Sequence, residues 1–203
     1  MSFETELKLS LSENSISQLK THSFWKKFAV EGPGTFHLGN IYYDTEDMAL
    51  NQARVALRIR EKNGEYFQTL KTKGESINGL TRRGEWEWRI PGNQLDFSGL
   101  TEVWPESLQG VAPDQLQPLF ATDFDRTTWL VEYDGARVEA ALDHGLVKSG
   151  DAHSPICELE LELIEGDESV LQKIADELGQ TIQLTPSDQS KAERGFELLY
   201  RSG

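Results

Sequence analysis

Ile156-Cys157-Glu158-Leu159-Glu160-Leu161-Glu162-Leu163-Ile164 is the stretch on which the reading of this 203-residue chain turns. Apolar and acidic residues alternate strictly, and successive side chains of a β-strand point to opposite faces. Glu158, Glu160 and Glu162 therefore share one face, with Cys157, Leu159, Leu161 and Leu163 on the other. Three like charges in a row repel one another. A merely solvated face is usually diluted with Thr, Ser, Gln or Asn, and a row of pure glutamate is better tolerated where a cation sits among its members.

Working outward, the same alternation recurs. Glu4, Glu6 and Lys8 oppose Phe3, Leu7 and Leu9; Arg58 and Arg60 oppose Leu57 and Ile59; Lys71 and Lys73 oppose Leu70. Arg83, Glu85, Glu87 and Arg89 oppose Trp86, Trp88 and Ile90, and Glu139 and Asp143 oppose Val138, Ala140 and Leu142. Any one of these strands alone reads as half of an antiparallel sheet with a wet face. Six polar faces built almost wholly of Arg, Lys, Glu and Asp read otherwise. A closed barrel whose lumen holds the charges, with its apolar outside covered by helices, accounts for all six. Charges so enclosed need partners. Basic rows suit phosphate oxygens, and acidic rows suit a hard divalent cation.

The remaining elements fit that architecture. Strands are expected at Phe3–Leu11, Thr35–Asp44, Val55–Glu61, Tyr66–Lys73, Thr81–Ile90, Phe124–Tyr133, Ala136–Gly145 and Ile156–Ile164, eight in all. Asn63-Gly64, Gly74/Gly79 and Asp134-Gly135 mark turns. Helices are expected from Ser15 to Lys20 and on toward Phe28, at Asp47–Gln52, at Glu168–Leu178, and at Ser187–Leu199 with Ser187 or Asp188 as N-cap. Gly92 to Pro118 reads as a loose connection with one or two helical turns. The fold class is mainly β (α+β): an eight-stranded antiparallel closed barrel, one domain over residues 1–203.

Composition narrows the function. A net charge of −14 argues against nucleic acid as a partner. No apolar run reaches the roughly 20 residues of a membrane span, and Met1-Ser2-Phe3-Glu4 does not begin a secretion signal. The single cysteine, Cys157, excludes an internal disulfide or a cysteine-built metal site. It is expected to be a buried, unreactive thiol, in a cytoplasmic protein. His22, His37, His144 and His153 show no ligand spacing. No phosphate-binding G-x-x-x-x-G-K-[ST] loop and no dinucleotide glycine fingerprint occurs.

The charged rows resemble a known family. Glu4-Thr5-Glu6-Leu7-Lys8 fits the E-x-E-x-K signature of the CYTH, or triphosphate tunnel metalloenzyme, superfamily. The resemblance runs on through Asn40-Ile41-Tyr42-Tyr43-Asp44-Thr45, Leu57-Arg58-Ile59-Arg60, Thr69-Leu70-Lys71, Arg83/Glu85, Asp123-Phe124-Asp125-Arg126, Ala141-Leu142-Asp143, Glu158 to Glu162 and Ser190-Lys191. Thr101-Glu102-Val103-Trp104-Pro105, Gln117-Pro118-Leu119-Phe120 and Pro155 to Glu162 are similar to the N-terminal domain of bacterial inorganic triphosphatases that carry a CHAD domain behind the CYTH domain. This chain ends where such a second domain would begin.

The resemblance implies metal-dependent hydrolysis of tripolyphosphate with Mg²⁺ or Mn²⁺. On the same fold it leaves open a class IV-type adenylate cyclase, a thiamine or nucleoside triphosphatase, or a polyphosphate-binding module without turnover. The missing His-Phe element weighs against cyclisation. It assigns phosphate binding to Lys8, Arg58, Arg60, Lys71, Arg83, Arg126 and Lys191, with Arg82 or Arg89 as alternatives to Arg83. Lys73 and Lys148 are read as peripheral. Metal ligands are sought among Glu4, Glu6, Glu158, Glu160 and Glu162, with Glu4, Glu6 and Glu160 preferred. Asp143, Glu85 and Glu139 contact a second metal, orient basic side chains or balance charge. A homodimer is the default assembly.

Overall fold

Hairpin turns with both central residues at positive φ match the right-handed twist of strands, and Asn-Gly and Asp-Gly tolerate that backbone. Asn63-Gly64 (φ 53° and 78°) and Asp134-Gly135 (φ 47° and 76°) adopt it. The computed structural model describes residues 2–72 and 74–202. Their strands are β1 (Ser2–Ser10), β2 (Ala29–Asp44), β3 (Ala56–Lys62), β4 (Glu65–Lys71), β5 (Glu75–Ile77), β6 (Leu80–Ile90), β7 (Gln117–Tyr133), β8 (Ala136–Ser149), β9 (Ala152–Glu165) and β10 (Thr185–Pro186). The helices are α1 (Ile16–Lys20), α2 (Ser23–Phe28), α3 (Ala49–Gln52), α4 (Phe97–Val103), α5 (Ser169–Gly179) and α6 (Lys191–Ser202).

Eight strands close in the order β1-β9-β8-β7-β2-β3-β4-β6 and back to β1, every pairing antiparallel. β1 performs the closure. Its Ser2–Leu7 half pairs with β6 and its Glu6–Ser10 half with β9. The expected barrel is borne out; β5 and β10 only extend its rim.

The apolar faces point outward and are covered. Leu7, Leu9, Trp129, Val131, Val138, Ala140, Leu142, Leu159 and Leu161 form one core under α1, α2 and α5. Trp25 of α2 stacks on Trp129, with centroids 4.2 Å apart and planes 6° from parallel. Burying each such side chain stabilises the fold by about 1.5–3 kcal/mol. Leu57, Leu70, Trp86 and Trp88 form a second core beneath α3, α4 and the segment around Trp104 and Leu108.

α6 adds what alternation does not reveal. Its Ala192 and Phe196 pack on Leu38, Tyr42, Phe120, Phe124, Val147 and Ile156, which share the inward faces with the charges. The helix thus seals one end of the lumen. Gly195 permits the approach, because a Cβ there would lie 1.9 Å from the Phe120 ring.

Several local expectations need correction. The helix after Ser15 breaks at His22, whose backbone is extended and whose ring accepts from Phe24 N–H. The last helix is capped by Ser190, not Ser187 or Asp188: Ser190 Oγ accepts from Glu193 N–H and Glu193 accepts from Ser190 N–H, a capping box. Asp188 instead accepts from Gly79 N–H and Ser76 Oγ, tying the preceding segment to a turn. β2, β7 and β8 are longer than expected. Cys157 is half-buried, not buried, and burial pushes its thiol up to about 11. Arg89 lies exposed at the rim beside Glu65, near the end of β6. Lys73 lies outside the described residues.

Candidate active site

The unsealed part of the lumen is a cavity of about 550 Å³. A strand pair fixes which side chains enter it, and the barrel then sets rows from all eight strands against one another. Lys8, Arg58, Arg60, Lys71, Arg83, Arg126 and Lys191 all line it. So do Glu4, Glu85, Glu139, Glu160 and Glu162. Glu6, Asp143 and Glu158 stand behind this lining, almost wholly shielded from solvent. Lys148 lies outside, paired with Asp123 at 3.1 Å, and Arg82 pairs with Glu168 on the surface.

Two clusters organise the charges. In the first, Lys71 Nζ lies 2.9 Å from Glu4 Oε2 and 3.7 Å from Glu85, while Arg83 lies 3.4 Å from Glu4 and 3.6 Å from Glu6. Burial raises the Glu4 carboxyl, but Lys71 and Arg83 outweigh it and hold Glu4 down at about 2. At Glu6 the same two cations are outweighed. Burial, Glu160 and Glu4 push it up to about 8, and its Oε1 is buried without a hydrogen-bond partner. Glu162 rises to about 7 through burial and the charges of Glu4 and Glu139.

In the second cluster, Arg126 grips Asp143 with two bonds of 2.7 Å and reaches Glu160 at 3.2 Å. Lys191, at the start of α6, places its ammonium among Asp143 (2.8 Å), Glu160 (2.6 Å) and Glu158. Arg194 of α6 closes the far side of Glu158 at 3.1 Å. Burial would lower Lys191, yet the carboxylates around it raise it. Glu160 is held well below the usual carboxylate range, as Lys191, Arg126 and Lys8 overcome its burial. Asp143, Glu158 and Glu160 offer oxygens within 4.8 Å of one another, a spacing suited to a metal, but a lysine ammonium is the cation they surround.

The donor set around Glu4 and Glu6 fits a hard divalent cation better. Its carboxylates offer only oxygen, a buried oxygen of Glu6 has no hydrogen-bond partner there, and burial, then neighbouring carboxylates, drives Glu6 and Glu162 toward protonation.

Several wall residues lay outside the candidates drawn from the charged rows. Asn40 Oδ1 accepts from Arg60 Nε at 2.7 Å, the Arg58 guanidinium bonds the Tyr42 hydroxyl, Thr69 Oγ1 donates to Glu87 at 2.8 Å, and Lys62 Nζ sits 4.1 Å over the Phe36 ring. The available signal was a period of two along β2, where Phe36, Leu38, Asn40 and Tyr42 share the inward face.

A sequence profile of the CYTH domain matches residues 2–196. The chain belongs to the CYTH family. Over 196 residues it is 34% identical to the inorganic triphosphatase of Haemophilus influenzae, a match covering 96% of this chain and 54% of that protein. This CYTH chain therefore spans about half the length of that relative. Among solved structures it resembles HpAC1 from Hippeastrum, named for adenylyl cyclase activity and described as having a dominant triphosphatase activity (TM-score 0.67, 23% identity, 96% and 95% of the two chains). It also resembles PH1819 from Pyrococcus horikoshii (TM-score 0.60, 21% identity, 95% and 98%). At these identities the structures support the CYTH fold.

Proposed function

We propose that this chain hydrolyses inorganic tripolyphosphate to pyrophosphate and phosphate with the help of Mg²⁺ or Mn²⁺. The observation that carries the reading is the meeting, in one cavity of about 550 Å³, of a cationic wall with a wall of carboxylates. A metal–polyphosphate complex needs both signs at close quarters. A site for a bare anion gains nothing from Glu4, Glu85, Glu139, Glu160 and Glu162.

Glu4, Glu6 and Glu160 would hold the metal, which would neutralise charge developing on the phosphate oxygens. Of the roles considered for Asp143, its contacts favour orienting basic side chains, and Glu158, sought among the metal ligands, takes that role too: they orient Arg126, Lys191 and Arg194. Arg58, Arg60 and Lys8 meet phosphate oxygens directly, since among the described residues none is clasped by a carboxylate closer than the 4.0 Å of Arg58 to Glu87. Lys71, Arg83 and Arg126 share themselves between carboxylates and substrate. Water forms the new bond to the terminal phosphorus as the bridging P–O bond breaks, and pyrophosphate leaves with that oxygen. Positioning and fixed charge supply most of the acceleration.

The test is phosphate release from tripolyphosphate with Mg²⁺ or Mn²⁺, with and without EDTA, beside ATP with analysis for cyclic AMP. Release abolished by chelator supports the proposal. Cyclic AMP from ATP, with tripolyphosphate inert, overturns it.

A further inference from the structure

The lumenal arginines differ in how they are held. Arg126 grips Asp143 and Arg83 lies against Glu4, yet Arg60 has no carboxylate within ion-pair distance among the described residues. Its Nε donates to Asn40 Oδ1 at 2.7 Å, and Asn40 Nδ2 donates to Thr122 Oγ1 at 3.0 Å. The three lie in register across β3, β2 and β7. Asn40 and Thr122 are 2% and 1% exposed, so the amide is sealed in the wall. A fixed acceptor on Nε sets the direction of the guanidinium and leaves its two Nη groups to the cavity that Arg60 lines.

A carboxylate would be the ordinary partner for a cation in such a place. At position 40 it would neutralise Arg60. An apolar residue there would leave Nε without an acceptor. Asparagine alone of these satisfies the Nε donor and leaves the charge whole. Arg60 is a buried cation beside other cations: burial first, then Arg58 and Arg126, lower it to about 9.

We propose that Asn40 is a positioning residue that aims Arg60 into the tunnel while leaving its charge uncompensated, so that the anionic substrate becomes the counter-ion. The inference deepens the triphosphatase reading and rests on it for the identity of that anion. Asn40 thereby costs the ligand-free barrel some stability and contributes affinity.

The experiment compares wild type with Asn40→Asp, nearly the same size, in EDTA. Asn40→Asp is expected to melt higher than wild type without ligand and to bind metal-free tripolyphosphate about tenfold more weakly by calorimetry. With metal, KM rises more than kcat falls. The gain in melting temperature disappears when Arg60→Met is added. A folded Asn40→Asp protein that melts no higher than wild type, or binds tripolyphosphate as tightly, overturns the proposal. If Asn40→Asp fails to fold, Asn40→Leu decides. Its loss of affinity must not add to that of Arg60→Met, and additive losses overturn the proposal. If wild type binds no tripolyphosphate, the substrate reading falls, and the Arg60-dependent melting difference still decides the role of Asn40.

Discussion

Replacing Lys191 by methionine removes the ammonium from a cage of three carboxylates while keeping most of the side chain's bulk. The cage is buried: Asp143 and Glu158 are both 0% exposed. Removing one partner from a buried ionic network costs about 3–5 kcal/mol. Here Arg126 still holds Asp143 and Glu160, and Arg194 still holds Glu158, so the lower end, about 3 kcal/mol, is expected. For a chain of this size that is a melting temperature lower by about 6–12 °C. The sign with pH follows from linkage. Lys191 is raised in the folded state, so its contribution is fully present below its unfolded value and is lost only as pH rises through the folded one. In the variant the uncompensated carboxylates bind protons more readily folded than unfolded, so the deficit shrinks toward pH 5 and grows toward pH 8. Thermal denaturation in EDTA at both values reads it. A loss under 2 °C at pH 8, or one independent of pH, refutes the reasoning that Lys191 is the cation this cage was built around.

Other expectations follow from the same charges. Glu4→Gln removes a proposed metal ligand together with the partner of Lys71 and Arg83, and should lower metal-dependent phosphate release by about 10²-fold or more; activity within threefold of wild type would exclude Glu4 from the metal site. Without metal, the protein should lose stability as pH falls from about 4.5 through the depressed value of Glu4, about 2. It should also lose stability as pH rises from about 4.5 through the raised values of Glu162 and Glu6, about 7 and 8. Melting curves across pH should show added Mg²⁺ relieving the alkaline loss, and a flat profile would contradict it. Gly195→Ala drives a methyl into the Phe120 ring and should destabilise by about 1–3 kcal/mol by denaturant titration.

The strands and the polarity of their faces were legible because alternation is a local property. Glu158 to Glu162, Arg58 with Arg60, and Glu4 to Lys8 declare which neighbours share a side. Their division of labour was not legible. Glu160 and Glu158 look equivalent in sequence, yet Glu160 lines the cavity and Glu158 is sealed behind it by Arg194. Arg83 and Arg89 sit on one row, yet one enters the tunnel and the other lies in solvent. Alternation specifies a face, not a height along the barrel axis, and height decides between lumen, wall and rim.

By itself, then, the sequence determined that eight amphipathic strands would enclose their charges, and which charged residues would point inward. Only the tertiary structure decided which charge meets which. Closure through β1, a property of register across the whole sheet, sets Glu4 beside Arg83 and Lys8 beside Glu160. The seating of α6 inside one end, which depends on shape at Gly195 and Phe120, delivers Lys191 to its carboxylates. Asn40 owes its role wholly to such distant pairing, since nothing near it in the chain says that Arg60 and Thr122 stand on either side.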